Sequence, residues 1–200
     1  MTQIINTIFN RGYLDLILGP MFSGKSTKLI KYIRDHKTLG INVMVIKPDI
    51  DNRYTNESSI CTHNNEKENC VMLPIDKLDK IFEIKDYENT IVIAIEEGQF
   101  FMNLFEIVKK MVDIDKKIIY ITAINGDANR NLFGDIYKLI SYCDNIEFMQ
   151  ALCVDCKDGT PGIYSKKITK ISTTNTNNQT DVGGADKYKA VCRRHYLLEN

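Results

Sequence analysis

Apolar and polar residues are grouped along most of the chain in a pattern that predicts strands followed by helices. Short continuous apolar runs are typical of strands buried on both faces of a parallel sheet, and they occur at 13–18, 42–46, 90–95 and 118–124. Helical spacing of apolar residues, or a short helical pattern, is found at 26–39, 77–84, 101–112 and 136–142. A last strand is expected within 146–152. This alternation predicts an α/β fold, with a doubly wound parallel sheet and flanking helices.

The polar stretches divide this pattern into parts. Residues 49–69 are polar and are predicted to form a loop, and 173–180 contain no apolar side chain and are predicted to be a mobile loop. Lysine, threonine and asparagine become frequent after residue 152. We therefore expect a flexible N-terminal arm at 1–12, an α/β domain at 13–150 and a small C-terminal domain at 151–200.

Composition and charge narrow the class of protein. The 200 residues are 44% hydrophobic, which suits an ordinary globular core, and 26 basic residues balance 26 acidic ones. Because there is no basic excess, we expect no nucleic-acid partner. No apolar run is long enough to span a bilayer, and the first ten residues lack the pattern of a secretory signal, so we expect no membrane association and a cytoplasmic location. The six cysteines are then expected to be reduced.

A glycine-rich loop after the first predicted strand carries the strongest chemical signal. Gly19-Pro-Met-Phe-Ser-Gly-Lys-Ser26 fits the pattern G-x-x-x-x-G-K-[ST] of phosphate-binding loops. The two glycines let consecutive backbone N–H groups curl around a phosphate at the start of the next helix. Lys25 is expected to reach the β- and γ-phosphates, and Ser26 to offer its hydroxyl to Mg²⁺. The predicted ATP phosphate site comprises Gly19, Pro20, Met21, Phe22, Ser23, Gly24, Lys25, Ser26 and Thr27.

Two adjacent acids, Glu96 and Glu97, follow the clearest buried strand. Ligands of open α/β sheets bind at the carboxyl ends of strands, where one carboxylate can hold Mg²⁺ and the other can act as a general base. A pair of acids at a strand end is also common as a merely solvated terminus. The neighbouring phosphate loop favours the functional interpretation, in which the two acids divide the roles of Mg²⁺ ligand and base between them.

Three cysteines and a histidine near the C-terminus have the spacing of metal ligands. Cys153-x-x-Cys156 and Cys192-x-x-His195 each form one half of a four-ligand set for tetrahedral Zn²⁺, although two unrelated pairs remain an alternative. Four protein ligands leave no open position, so the predicted zinc is structural. Arg53, in the polar loop after the second strand, could clamp a transferring phosphate, but such an arginine is more often a surface charge.

Several of these motifs occur together in a known family. The chain resembles type II thymidine kinases, the cytosolic cellular, bacterial and poxvirus-like enzymes. The resemblance covers about Tyr13 to Tyr196 and rests on these segments in order: Gly19-Pro-Met-Phe-Ser-Gly-Lys-Ser26, Asp51-x-Arg53-Tyr54, Cys61-Thr-His63, Glu97-Gly-Gln-Phe-Phe101, Phe133-Gly134 and Gly183-Gly-Ala-Asp-Lys-Tyr188.

The resemblance implies transfer of the ATP γ-phosphoryl group to the 5′-hydroxyl of thymidine, with Glu97 as the base and Lys25 and Arg53 steadying the phosphoryl group. It implies a lasso-like loop on the zinc-binding domain, a homotetramer, and dTTP as a feedback inhibitor. The implied thymidine-binding residues are Phe100, Phe133, Ser165, Val182, Gly183, Gly184 and Tyr188.

This chain departs from the usual family pattern at three positions. Glu96 stands where most members have aspartate, Ser165 where many have threonine, and His195 where many have cysteine. Two other functions stay open at this point: a P-loop kinase for another nucleoside, and a non-catalytic nucleotide switch with a zinc ribbon.

Overall fold

Six parallel strands form the central sheet of this protein in a computed structural model, which describes residues 11–50, 59–61, 67–168 and 183–198. These strands are β1 (Tyr13–Gly19), β2 (Val43–Pro48), β5 (Val71–Leu73), β6 (Val92–Ile95), β7 (Ile118–Ile124) and β8 (Asn145–Phe148). Their order across the sheet is β5-β2-β6-β7-β1-β8, and each neighbouring pair is parallel. An antiparallel hairpin of β3 (Ser59–Cys61) and β4 (Lys67–Asn69) lies outside this sheet. The predicted parallel α/β fold is confirmed.

Helices connect the strands close to where the sequence pattern predicts them. They are α1 (Lys25–Thr38), a 3₁₀ helix (Leu78–Glu83), a second 3₁₀ helix (Gly98–Phe100), α2 (Leu104–Lys109), which continues as a π-helix (Lys110–Ile114), and α3 (Ile136–Ile140). Within the described part of the chain, no helix is both long and apolar enough to cross a membrane.

The sheet is covered on both faces, as its uninterrupted apolar strands require. Leu14, Leu16 and Leu18 of β1 are almost fully buried in a core that includes residues of α2 and α3. Ile17, on the opposite face, packs in a second core with residues of α1. Successive residues of one strand therefore enter different cores, and the strand ends are fixed in position by packing from both sides.

The C-terminal segment, 151–198 as far as it is described, is built from much shorter elements. They are β9 (Ala151–Leu152), β10 (Pro161–Gly162), β11 (Tyr164–Lys167), β12 (Tyr188–Val191) and α4 (Arg193–Leu197). The strands form two antiparallel pairs, β9 with β10 and β11 with β12.

Two local predictions are wrong. Residues 59–61 and 67–69 form a hairpin within the predicted loop, and it is anchored by Ile60, which is buried against α1, and by Glu68, whose carboxylate accepts hydrogen bonds from Arg34 and Lys37. The predicted last strand is two short strands, because the chain leaves the sheet after Phe148 and Ala151 and Leu152 pair instead with β10. The predictions for 1–10 and 173–180 lie outside the described residues.

Candidate active site

The phosphate loop has the strand–loop–helix setting that its sequence predicts. It joins β1 to α1, and Gly24 adopts a left-handed conformation with φ of 86° immediately before the helix. A side chain at Gly19 would collide with the chain, because an added Cβ would lie 2.5 Å from the carbonyl oxygen of Met149. The Ser23 hydroxyl and the buried Lys25 ammonium each donate a hydrogen bond of 2.8 Å to the carbonyl oxygen of Pro20. The loop is therefore closely folded, with its lysine turned inward.

Ser26 and Glu96 meet although 70 residues separate them in the chain. Ser26 lies in the first turn of α1, and Glu96, which is buried, directly follows β6. The Ser26 hydroxyl donates to Glu96 Oε1 at 2.5 Å. A hydroxyl and a carboxylate oxygen are ligands that Mg²⁺ accepts, and Mg²⁺ typically takes only one or two protein ligands beside phosphates and water. The two side chains therefore fit a Mg²⁺ ion beside the phosphate loop.

Glu97 is buried at the carboxyl edge of the sheet in a conformation that non-glycine residues rarely adopt. Its φ is 52°, in the left-handed region, and its side chain is 7% exposed. Its N–H donates to Thr122 Oγ1 of β7 at 3.2 Å, and its Oε2 accepts a hydrogen bond of 2.5 Å from Gln99 Nε2. A strained backbone of this kind costs about 1–3 kcal/mol and clusters at functional sites. The structure thus presents Glu97 as a candidate base.

Two aromatic residues predicted to bind substrate lie together beside this edge. The rings of Phe100 and Phe133 pack edge to face, with centroids 5.2 Å apart and planes at 85°. Gly134, with φ of 59°, allows this approach, since an added Cβ would lie 2.3 Å from the carbonyl oxygen of Gln99. Phe100 is the last residue of the short 3₁₀ helix that begins directly after Glu97, so the aromatic pair and the candidate base are close in the chain.

The remaining predicted substrate residues lie in or next to the β11–β12 hairpin. Ser165 of β11 is buried, and its hydroxyl accepts a hydrogen bond of 2.9 Å from the N–H of Met21 in the phosphate loop. Gly183 and Gly184 precede β12 in a turn in which the Gly184 carbonyl accepts the N–H of Tyr188 at 3.0 Å. The hairpin register pairs Tyr188 with Lys167, two positions along β11 from Ser165. Val182 and Arg53 lie outside the described residues.

The four predicted zinc ligands converge in the C-terminal segment. The Cys156 and Cys192 sulfurs are 3.7 Å apart, and His195 Nδ1 lies 3.5, 3.2 and 3.4 Å from the sulfurs of Cys153, Cys156 and Cys192. Bonds of about 2.3 Å from zinc to sulfur place the corners of a tetrahedron roughly 3.8 Å apart, and slightly less when nitrogen takes one corner. The set therefore fits a tetrahedral Zn²⁺ ion, with Nδ1 as the nitrogen ligand.

The surroundings of the Cys153 and Cys156 thiols shift their pKa values in opposite directions. Burial raises the pKa of the Cys153 thiol, but hydrogen bonds from the backbone of Cys192, Cys156 and Asp155 outweigh burial and lower it overall. Burial, together with the neighbouring sulfurs, raises the pKa of the Cys156 thiol. One member of the set is thus favoured as a thiolate, the form that binds metal.

The sequence analysis did not predict the residues whose hydrogen bonds fix the site residues and their neighbouring loop in position. Gln99 and Thr122 touch Glu97 directly, and Tyr196 donates to the carbonyl oxygen of Ala128 at 2.8 Å, next to the loop that carries Phe133. A threonine near the end of an otherwise apolar run, at 122, was an available signal for one of them.

A phosphate loop after the first strand of a parallel sheet, with acids at the end of a nearby strand, defines a nucleotide-binding P-loop protein. The sequence profile of the thymidine kinase family matches residues 12–196, and the chain belongs to this family.

Proteins that are similar to this chain over most of its length are named thymidine kinases. The chain is 36% identical over 188 residues to the thymidine kinase of rabbit fibroma virus, with 94% of this chain and 97% of the relative covered. It is 37% identical to the thymidine kinase of sheeppox virus, with coverage of 94% and 98%. It is 34% identical to thymidine kinase a of Arabidopsis thaliana, with coverage of 94% and 76%.

Proposed function

We propose that this protein transfers the γ-phosphoryl group of ATP to the 5′-hydroxyl of thymidine, giving dTMP and ADP for DNA precursor synthesis. The observation that carries the proposal is the position of Glu97. In a chain of the thymidine kinase family, this buried carboxylate directly follows Glu96, which meets Ser26 of the phosphate-loop helix, and precedes the short 3₁₀ helix that ends at Phe100 of the Phe100–Phe133 pair. A base, a phosphate site and a flat apolar wall are the parts that phosphorylation of a nucleoside requires.

The reaction follows from these groups. The 5′-hydroxyl oxygen forms a bond to the γ-phosphorus while the bond from that phosphorus to the β,γ-bridging oxygen breaks, and ADP leaves. Glu97 accepts the hydroxyl proton and becomes a neutral carboxylic acid. Backbone N–H groups of residues 19–27 hold the phosphates, and Lys25 turns from Pro20 towards the transferred group. Arg53 is assigned to the same group by the family resemblance alone.

Ser26 and Glu96 are proposed to hold Mg²⁺. When bound there, the ion would offset the negative charge of the phosphates during transfer. In the structure the Ser26 hydroxyl donates a hydrogen bond of 2.5 Å to the Glu96 carboxylate, so the two proposed ligand groups already lie next to each other. Although Glu96 is one methylene longer than the aspartate usual in the family, its carboxylate meets Ser26 directly.

The thymine base is proposed to lie against Phe100 and Phe133, with Ser165 near its methyl group. Val182, Gly183, Gly184 and Tyr188 are proposed to close over the nucleoside as a lasso-like loop. The pairing of β12 with β11 supports this assignment, since it ties the end of that loop to Ser165.

The C-terminal segment is proposed to be a separate zinc-binding domain at 151–200, following an N-terminal arm at 1–12 and a kinase domain at 13–150. The Cys153, Cys156, Cys192 and His195 atoms support a structural Zn²⁺, because all four ligand atoms lie within 4.8 Å of one another. By resemblance to the family, we further propose a cytoplasmic homotetramer that dTTP inhibits.

The first experiment is phosphate transfer from ATP–Mg²⁺ to thymidine, deoxyuridine, deoxycytidine and deoxyguanosine. We expect thymidine to be preferred, with deoxyuridine weaker. Preference for deoxycytidine or a purine would retain the kinase but refute the thymine pocket. Binding of ATP with no transfer to any nucleoside would instead favour the nucleotide switch.

A further inference from the structure

We propose that Gln99 is a positioning residue for phosphoryl transfer, which fixes the direction of the Glu97 carboxylate. This inference rests on the proposed function, because it takes Glu97 as the base. Gln99 lies in the 3₁₀ helix Gly98–Phe100 and is 2% exposed, so its amide has no access to bulk water.

The two ends of the Gln99 amide have different partners. Nε2 donates to Glu97 Oε2 at 2.5 Å, and Oε1 accepts the N–H of Ile124 at 3.3 Å. A carboxylate can only accept from an amide and a backbone N–H can only donate, so these partners determine which end of the amide carries the nitrogen. The reversed orientation would place two donors against each other and two acceptors against each other.

The same strand secures both ends of Glu97. Thr122 and Ile124 both belong to β7 and, being two residues apart, face the same side of the sheet. Thr122 accepts the N–H of Glu97, whereas Ile124 holds the amide that contacts the Glu97 carboxylate. Hydrogen bonds therefore hold the backbone of Glu97 against β7 directly and its side chain against β7 through Gln99. β7 is a seven-residue strand paired on both edges.

The backbone of Gln99 is confined beside the Phe100–Phe133 pair, which we call the aromatic wall. Gly134 approaches so closely that an added Cβ would lie 2.3 Å from the Gln99 carbonyl oxygen, and Phe100 follows Gln99 in the chain. The base and the surface proposed for thymine are thus linked through one side chain and its own backbone.

This arrangement has a consequence for the geometry of proton transfer. The terminal torsion of a glutamate is otherwise broad, and a hydrogen bond at Oε2 restricts it, which sets the direction of Oε1. A base must lie within hydrogen-bond reach of the proton that it accepts, so a fixed direction of Oε1 favours transfer from the 5′-hydroxyl.

Two variants test the proposal. Gln99→Met keeps the length of the side chain and removes both hydrogen bonds, whereas Gln99→Glu keeps an acceptor for Ile124 and places a second acid against Glu97. We expect kcat, expressed per ATP-binding site, to fall about tenfold or more in each, with KM for ATP changed less than about twofold. The same exchanges at the exposed Gln150 are matched controls.

A purely structural role for Gln99 predicts another result. Both variants would then have a lower melting temperature and less folded enzyme, but turnover per ATP-binding site would be normal for the molecules that remain folded, and the proposal would be overturned. Glu97→Gln, measured in parallel, separates the role of Gln99 from the base assignment. If that variant keeps full turnover, the base assignment itself fails; if it is inactive while both Gln99 variants keep normal turnover per ATP-binding site, only the role of Gln99 fails.

Discussion

The carboxyl edge of the central sheet and the C-terminal cysteine–histidine cluster hold their polar side chains in different ways. At the edge, Glu97 and Ser26 are held by strands and helices that two apolar cores pack from both faces of the sheet. In the C-terminal segment, the strands have two to four residues each, and among its described residues the apolar cluster has Cys153, Val191 and Cys192 as its buried members.

This difference indicates what each region depends on. Elements so short bury too little apolar area to offset the entropy of ordering the chain, and small modules of this kind are usually stabilised by a metal or disulfides. The zinc ligands of the C-terminal segment are also a large part of its buried core. We therefore expect the edge to retain its geometry without metal and the C-terminal segment to lose it.

The largest effect should come from the edge. Glu97→Gln keeps the size of the side chain and removes the proton acceptor, so turnover should fall on the order of 10²-fold or more while ATP binding is nearly unchanged. Single-turnover assays and ATP titration measure the two quantities. Glu106→Gln, the same exchange at an exposed position of α2, is the control and should be fully active. Normal turnover by the Glu97 variant would exclude this residue as the base.

Removal of a proposed metal ligand should affect the C-terminal segment and leave the central sheet nearly unchanged. Zinc binding contributes on the order of 10 kcal/mol in small zinc modules, so Cys192→Ala should open the C-terminal segment at little expense to the sheet. Amide hydrogen exchange should show lost protection in β11, β12 and α4 and retained protection in β1, β6 and β7. Metal analysis should show that bound zinc is lost. Cys143→Ala, outside the cluster, is the matched control.

Equal loss of protection in both regions would contradict the contrast between them. Unchanged protection in the Cys192 variant would show that the C-terminal segment is stable without the metal.

The contrast between the two regions also explains how much the sequence predicted. Continuous apolar runs and the glycine pattern of residues 19–26 are local signals, and they located β1, β2, β6 and β7, the helices between the strands and the phosphate loop, whereas β5 is three residues long and was missed. The ligand spacing of Cys153, Cys156, Cys192 and His195 is also local within each pair, and the structure brings the two pairs together.

Contacts that depend on strand order were not predictable. Thr122 reaches Glu97, and Ile124 reaches Gln99, only because β6 and β7 are neighbours in the sheet, and the Ser165–Met21 hydrogen bond joins residues 144 positions apart. No spacing rule encodes such contacts. The β3–β4 hairpin was missed for a different reason, since strands of three residues are too short to show periodicity.

A smaller effect is expected where the two regions meet, at Ser165. Ser165→Ala leaves the N–H of Met21 without its hydroxyl acceptor, at a cost of about 1 kcal/mol, which corresponds to roughly a fivefold rise in KM for ATP. Ser165→Thr keeps the hydroxyl and should restore the KM. Steady-state kinetics with ATP varied at saturating thymidine measures the change. If alanine and threonine raise the KM equally, the hydroxyl does not support the phosphate loop.

The smallest effect is expected at the second junction between the regions. Tyr196 of α4 donates to the carbonyl of Ala128, and Arg130 lies over its ring, with the guanidinium carbon 4.6 Å from the centroid. Tyr196→Phe removes the hydrogen bond and keeps the ring, so stability should fall by about 1 kcal/mol or less. Because Ala128 belongs to the loop that leads to Phe133, KM for thymidine should rise by roughly twofold while KM for ATP stays constant. Tyr137→Phe, at an exposed tyrosine of α3, is the control. A change in KM for ATP alone would show that this junction supports the phosphate loop instead of the aromatic wall.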